Sequence, residues 1–168
     1  MKIKIESYND NWPYIFEDIK SRIRDNIDKD NITIEHIGST SVKDLASKPI
    51  IDILIGIKFQ ELDDYITPIK DLGFTYMKEY EKEIPNRRFF FLENNTKRIA
   101  HIHLVKIDSR WYKRHIAFRD ELRSNEVIKK EYEELKYTLA KKEWKDGNEY
   151  ADAKTKFIKS IEKSLKID

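Results

Sequence analysis

Hydrophobic residues recur along this chain with two different spacings, and each spacing predicts a different kind of element. Between residues 11 and 27 an isoleucine recurs at every fourth position, which is a helical spacing, and Pro13 falls in the predicted first turn. Residues 32–37 alternate apolar and polar side chains, and residues 49–57 form a nearly continuous apolar run, so each segment predicts a strand. The isoleucines of the helix are Ile15, Ile19, Ile23 and Ile27.

The middle of the chain predicts shorter elements. Residues 39–46 predict a short helix, and residues 61–72 predict a helix that ends at Gly73. Three extended segments follow, and the last two are joined by a hairpin turn signal, Glu-Asn-Asn-Thr. These segments are 74–80, 87–93 and 97–107.

The last third of the chain has a helical spacing. From residue 109 onward, breaks near 124–125 and 146–148 predict three helices. The pattern as a whole predicts an α/β fold in one domain of residues 1–168. A sheet core occupies residues 1–107 and a helical subdomain occupies residues 108–168.

Composition narrows the class of protein. The 168 residues are rich in charges of both signs, and the net charge is only +2, so nothing strongly indicates nucleic acid as a partner. The chain has no cysteine, which excludes disulfides and thiolate chemistry. No apolar window is long enough to cross a membrane, and the first ten residues do not resemble a signal peptide. We therefore expect a cytoplasmic protein.

The first candidate for chemistry is the dipeptide Gly38-Ser39, at the junction between a predicted strand and a predicted helix. Glycine allows the backbone to approach a ligand closely, and the first amides of a helix favour an anion. Ser39, Thr40 and Ser41 add hydroxyl donors. The alternative is an ordinary helix cap, which needs no ligand.

The second candidate is Asp52, a carboxylate inside the apolar run. Such a group is costly to bury unless it is paired, solvated or bound to a metal. Because side chains alternate along a strand, Asp52, Leu54 and Gly56 share one face and the isoleucines share the other. The Asp52 face is therefore expected to open to solvent or ligand at its start. The alternative is a structural aspartate that pairs with a lysine or caps a loop.

These residues resemble a known signature. Ile37-Gly38-Ser39, twelve further residues and then Asp52 resemble the motif of the nucleotidyltransferase superfamily, and EHIGSTSV, KPIID and HIHLV resemble the GrpB family. The segments AFRDELR and YADAKTKFI extend that resemblance over nearly the whole chain. It implies a nucleotidyltransferase-like mixed sheet flanked by helices.

In that superfamily, acidic side chains hold divalent ions that bridge a nucleotide triphosphate, while Gly-Ser cradles the phosphates. Asp52 matches the first acid, but the second position is Leu54, which cannot bind a metal. His101 and His103 occupy the region of the third acid. The resemblance thus implies a divalent ion held by Asp52, His101 and His103, with His36 or Glu35 as a further candidate ligand. The implied ion is of the magnesium type, or of the zinc type because imidazole suits zinc, and the sequence does not identify which. The alternative is a half-buried histidine pair bonded to its neighbours.

Four cationic residues are candidates for contacting phosphate, and solvated surface residues are the alternative. Arg87 and Arg88 are adjacent on a strand and point to opposite faces, so only one of them can serve a site. The resemblance suggests that Lys154 reaches back toward the site. The four candidates are Lys48, Arg87, Arg88 and Lys154.

The leading hypothesis is a metal-dependent transferase that moves a nucleotidyl group to a small acceptor. Two alternatives stay open. One is a protein of the same fold that binds a nucleotide or phosphorylated metabolite without catalysis, as the missing second acid suggests. The other is a transition-metal hydrolase that uses Asp52, His101 and His103.

Overall fold

The computed structural model of this chain describes residues 1–27 and 29–167. Its strands are β1 (Ile32–Ile37), β2 (Ile51–Ile57), β3 (Thr75–Tyr76), β4 (Arg88–Asn94) and β5 (Lys97–Lys106). Its helices are α1 (Trp12–Asn26), α2 (Ile66–Asp71), α3 (Arg110–Ser124), α4 (Glu126–Ala140), α5 (Gly147–Ala153) and α6 (Thr155–Ser164).

Within these residues the five strands form one mixed sheet, in the order β1-β2-β5-β4-β3. β2 and β5 run parallel, whereas the other neighbouring pairs are antiparallel. A parallel pair needs a long crossover connection, and the chain between β2 and β5 supplies it with α2, β3 and β4. The predicted α/β fold with a mixed sheet is confirmed. The division into one domain with two parts stays a prediction.

One face of the sheet carries the main hydrophobic core. The isoleucines of β2 are at most 1% exposed and belong to one apolar cluster with α1. The buried stripe of α1 is not the predicted one: Ile15 is 38% exposed, and Phe16 is buried instead. A strict four-residue repeat drifts around a helix of 3.6 residues per turn, so Ile15 rotates out of the interface. The α1 stripe is Trp12, Phe16, Ile19 and Ile23.

The opposite face of β2 is covered along only part of its length. Leu54 is fully buried in a cluster with Trp111 and Tyr112 of α3. Tyr112 also lies close over Gly56. Asp52, nearer the start of the strand, keeps 31% of its side-chain surface exposed. This face therefore opens at Asp52, as the alternation along the strand predicts.

Several predicted boundaries are wrong. The predicted helix over 39–46 is only one 3-10 turn, Ser39–Ser41, and Asp44 has a φ of 65°. Val42 and Leu45 of this segment pack with α3 and α4. The predicted strand over 74–80 contains only β3, followed by a 3-10 turn at Lys78–Lys82.

The C-terminal third has four described helices rather than the predicted three, because α5 and α6 are separated at Lys154. Asn125 and Asp146 accept hydrogen bonds from the amides of Ile128 and Glu149 and so cap α4 and α5 near the predicted breaks. None of the described helices combines the length and apolar character that a membrane crossing requires.

The contact between α3 and Gly56 generates a stability prediction. A Cβ atom at Gly56 would lie 2.7 Å from the Tyr112 ring and 2.9 Å from the Thr33 hydroxyl. We expect Gly56→Ala to lower the free energy of unfolding by about 1–3 kcal/mol, because α3 must shift. Urea unfolding measures this change. Gly147→Ala is the control, since its Cβ would meet nothing closer than 3.8 Å. Equal losses in the two variants would contradict the prediction.

Candidate functional site

Three polar side chains of β2 and β5 converge on one oxygen atom. In the parallel pairing, Asp52 is level with His101, and His103 lies two residues further along the same face. His103 Nε2 lies 3.2 Å from Asp52 Oδ1, and His101 Nδ1 lies 3.6 Å from the same oxygen. The structure thus brings together the three residues that the sequence predicted for one site. We call their surroundings the Asp52 cleft.

The hydrogen bonds around His103 assign its tautomer. Arg87 Nη1 lies 3.5 Å from His103 Nδ1, and a guanidinium can only donate. His103 Nδ1 therefore accepts, and the neutral ring carries its hydrogen on Nε2, which donates to Asp52. Burial lowers the pKa of His103, although Asp52 opposes the change, so the ring is neutral at pH 7.

Asp52 is ionised. Burial alone would raise the pKa of its carboxyl group, but the interactions with His101 and His103 outweigh burial and hold the pKa below its usual range. The cleft therefore contains a fixed negative charge, which can accept hydrogen bonds or face a cation.

Gly38 lies directly beside Asp52. Its φ of 73° is in the left-handed region, and a Cβ atom there would stand 2.6 Å from Asp52 Oδ2. Only glycine permits this turn and this approach without displacing the carboxylate. Ser39 follows, and its side chain is near enough to the Tyr132 hydroxyl of α4 to limit the rise in the pKa of Tyr132 that burial causes. The Gly38–Ser39 bend therefore lines the Asp52 cleft.

The other two hydroxyl groups of the predicted Ser-Thr-Ser cluster are used inside the protein. The Thr40 hydroxyl lies 2.9 Å from His36 Nε2, and the Ser41 hydroxyl donates to the Gly38 carbonyl at 2.5 Å. Both residues are buried. Thr40 and Ser41 therefore shape the bend, and Ser39 is the hydroxyl that reaches α4.

Two lysine ammonium groups lie over the same tyrosine ring. Lys48 Nζ is 5.3 Å and Lys154 Nζ is 4.7 Å from the centroid of Tyr150. Among the described residues neither ammonium forms a hydrogen bond or an ion pair with an acidic side chain. Burial lowers the pKa of Lys154 to about 8, while Asp52 limits the decrease. Burial also lowers the pKa of Lys48, and the charge of Lys154 lowers it further. Two cationic groups therefore share one aromatic ring, and among the described residues no carboxylate forms an ion pair with either of them.

Sequence reasoning missed a third lysine. Lys136 is only 2% exposed, donates to the Ala46 carbonyl and lies 5.1 Å from the centre of the Tyr132 ring. Burial, together with the charge of Lys154, lowers its pKa to about 7. Its position on the α4 stripe that contains Tyr132 and Leu139 was the available signal, because a lysine there must turn inward.

Two arginines of α3 were also missed as supports of the Gly38–Ser39 bend. Arg119 donates to Glu35 at 2.6 Å and to the His36 carbonyl at 3.1 Å. Arg123 donates twice to the Ser41 carbonyl, at 2.9 and 3.0 Å. The backbone is thus held from α3 on both sides of the bend, and Glu35 is engaged in an ion pair.

Two candidates lie away from the cleft. His36 projects to the other face of the sheet, where its ring stacks on Phe16 at 4.7 Å, and burial lowers its pKa to about 4. Arg88 pairs with Asp63 at 2.7 Å on the side opposite to Arg87. Strand alternation explains both placements. We therefore correct the candidate set by removing His36 as a ligand and Arg88 as a phosphate contact.

The fit of these residues to a metal ion is partial. Neighbouring ligand atoms around zinc lie roughly 3.3 Å apart when the bonds are about 2.0–2.2 Å, close to the distances at Asp52. However, the His103 hydrogen points at Asp52, and Arg87 occupies its other nitrogen. With the side chains in this arrangement, residues 1–27 and 29–167 contain no group of three or more histidine, aspartate or glutamate residues that could hold a metal ion.

Comparison with known proteins shows which family this chain resembles. The family model described as "GrpB protein" matches residues 2–164. "UPF0157 protein YqkA" of Bacillus subtilis is 36% identical over 98% of this chain, which spans about half (48%) of that relative. "Glutamate-rich protein GrpB" of Alkalihalophilus pseudofirmus is 33% identical, with 95% of this chain and 94% of the relative covered.

A solved structure shares the fold. It is described as the crystal structure of conserved protein GrpB from Enterococcus faecalis. It superposes with a TM-score of 0.83 at 33% identity, and the match covers 96% of each chain. None of these names states a reaction or a ligand, so any function has to be argued from the site.

The uncompensated charge at Lys154 generates a second stability prediction. Its folded pKa of about 8 lies below the ordinary 10.5, so the charged form destabilises the fold below pH 8. We expect Lys154→Met to raise the free energy of unfolding at pH 7 by about 1–2 kcal/mol, measured by urea unfolding without ligand. The gain should shrink between pH 8 and 10.5, as the wild-type ammonium loses its proton in the folded state.

Lys156→Met is the matched control, because Lys156 is exposed two residues further along the chain. Its effect should stay within about 0.5 kcal/mol. A loss of stability in Lys154→Met would mean that the contact with Tyr150 outweighs the cost of the buried charge.

Proposed function

This chain belongs to the GrpB family, and from its site we propose that it binds a phosphate-bearing small molecule, such as a nucleotide, in the Asp52 cleft. Binding of this kind is a sufficient function without turnover. The residues of the nucleotidyltransferase-like motif would then bind the ligand, and catalysis by the same residues is the second candidate function.

The observation that carries the proposal is the pair of ammonium groups on Tyr150. Lys48 and Lys154 come from different parts of the chain, share one ring and have no acidic partner among the residues described. Burial and the charge of Lys154 lower the pKa of Lys48, and burial lowers the pKa of Lys154, so both positions disfavour the charged form. A phosphate dianion bound between them would offset both costs through charge-assisted hydrogen bonds.

The neighbouring groups suit the rest of such a ligand. The Gly38–Ser39 bend offers backbone amides at the start of a 3-10 turn and a glycine that leaves room for close approach. Asp52 repels phosphate but accepts hydrogen bonds, so it suits a hydroxyl group of the ligand.

A second candidate function is metal-dependent nucleotidyl transfer. The direct contact between the Gly38 backbone and Asp52 favours it, because it joins the two parts of the motif. Asp52 would hold a divalent ion, with His101 and His103 as ligands after a change in their hydrogen bonds. Such an ion would neutralise charge on the phosphate oxygens. The usual second acid is absent from this motif, because position 54 carries a leucine. The leucine is fully buried beneath α3.

We expect ATP or glucose 6-phosphate to bind the wild-type chain at pH 7 in the presence of EDTA, as measured by isothermal titration calorimetry. Lys48→Met and Lys154→Met should each weaken this binding by about tenfold or more, because a hydrogen bond to a charged group contributes about 1.5–3 kcal/mol. Binding should also weaken from pH 7 to pH 9, as Lys154 loses its charge.

Lys156→Met again serves as the control and should bind as the wild type does. The proposal fails if no phosphate compound binds at millimolar concentration, or if both lysine variants bind as tightly as the wild type.

The two candidate functions differ in their response to metal. Under the first, Mg²⁺ or Zn²⁺ does not strengthen ATP binding, and no pyrophosphate is released with a panel of small acceptors. Under the second, the ion strengthens ATP binding and Asp52→Asn removes that gain, because the carboxylate ligand is lost. Calorimetry with and without the ion, together with a pyrophosphate assay, separates the two outcomes.

A further inference from the structure

Arg87 has surroundings unlike those of the neighbouring arginine. A guanidinium has five N–H donors, yet among the described residues the one hydrogen-bond contact of the Arg87 guanidinium is its 3.5 Å approach to His103 Nδ1. Its Nε atom is buried and has no partner within residues 1–27 and 29–167. Glu83 is near enough to affect its pKa, but within the described part of the chain no carboxylate forms an ion pair with it.

Arg88 shows what a satisfied arginine looks like in this protein. It donates to Asp63 and to the Pro85 carbonyl, each at 2.7 Å, and it lies 3.4 Å from Glu81. The two arginines are adjacent, so the difference between them arises from the face of the strand and not from the local sequence. The face that carries Arg87 is the face of the Asp52 cleft.

The Arg87 guanidinium is held in place by aromatic rings. Its central carbon lies 5.2 Å from the Phe89 ring centroid and 5.7 Å from that of Trp111. Trp111 is itself fixed, since it stacks on His115 at 3.4 Å and on His103 at 5.0 Å. Such ring contacts orient the planar guanidinium without using its N–H donors, which suits binding of a carboxylate or phosphate.

Strand register places Arg87 and Lys48 on opposite sides of Asp52. Lys48 precedes β2, whereas Arg87 lies one residue before Arg88, which pairs with Leu104 of β5. Leu104 is level with Ile55 of β2, beyond Asp52 in the direction of that strand. The cleft therefore has a cationic group at each end and a carboxylate between them.

We infer that Arg87 forms a second oxyanion subsite, and that the ligand carries two separated anionic groups. One is the phosphate that Lys48 and Lys154 bind, and the other is a carboxylate or a second phosphate that binds Arg87. This inference rests on the proposed phosphate site and narrows the ligand to a bis-anionic small molecule. Its middle portion passes Asp52, where hydroxyl groups can donate to the carboxylate.

Matched pairs of ligands test the second subsite. Glucose 6-phosphate has one anionic group, 6-phosphogluconate adds a carboxylate at the far end, and fructose 1,6-bisphosphate adds a second phosphate relative to fructose 6-phosphate. We expect one of the bis-anionic compounds to bind the wild type about tenfold or more tightly than its mono-anionic counterpart. The ligand pair that shows the preference identifies the second anionic group as a carboxylate or a phosphate.

Variants assign the preference to Arg87. Arg87→Met should abolish it, and Arg87→Lys should retain only part of it because the fork is lost. Arg88→Met should keep the full preference. Thermal unfolding of each variant verifies that it is folded.

The outcomes separate this inference from the function on which it rests. If phosphate binds but neither bis-anionic compound is preferred, or the preference survives in Arg87→Met, the second subsite is wrong and the proposed function stands. If no phosphate compound binds, both are overturned.

Discussion

The parallel pairing of β2 with β5 is the constraint on which the rest of the site depends. It aligns Asp52 with His101 and places His103 on the same face, so that three polar side chains meet at one oxygen atom. An antiparallel neighbour already occupies the other edge of β2, where the end of β1 brings Gly38 against the same carboxylate. The geometry at Asp52 is therefore set by the backbone of three adjacent strands, and side-chain rotamers make only small adjustments to it.

Charge then determines what this geometry can hold. The carboxylate of Asp52 is satisfied by imidazole groups, so it does not neutralise a lysine directly. Lys48 and Lys154 are left with an aromatic ring, and Arg87 is left with two rings and one long hydrogen bond. Buried cations without acidic partners make folding less favourable. An arrangement that costs stability at several positions around one opening is easier to explain by a ligand than by the fold alone.

The sequence predicted the centre of the site better than its walls. Asp52 could be found because one carboxylate interrupts an apolar strand, and Gly38 because glycine is rare in this chain and follows a strand. The histidines followed from alternation on a strand whose register could be anticipated only by resemblance. Lys136, Arg119 and Arg123 could not be found in this way, because their roles depend on how α3 and α4 pack against the bend, and helical spacing alone does not reveal which partner a helix face meets.

The same limit explains the errors in the fold. Val42 and Leu45 have the spacing of a helix, but the segment that contains them is not helical. Both are apolar because they pack against α3 and α4. Ile15 was misplaced by a smaller effect, since four residues overshoot one turn and the error accumulates along α1. His36 was also predicted as a possible metal ligand, but alternation along β1 turns its side chain to the other face of the sheet.

Leu54 is best understood together with α3. An acid at this position would lie beneath Trp111 and Tyr112 with no water to solvate it, so the helix and a second metal-binding acid exclude each other. The same helix supplies Trp111 to the Arg87 guanidinium and supplies Arg119 and Arg123 to the backbone around Gly38. The covering of Leu54 is therefore not a simple loss of a catalytic group. It accompanies a supported bend and an oriented guanidinium, which are the features on which the proposed binding of an anionic ligand depends.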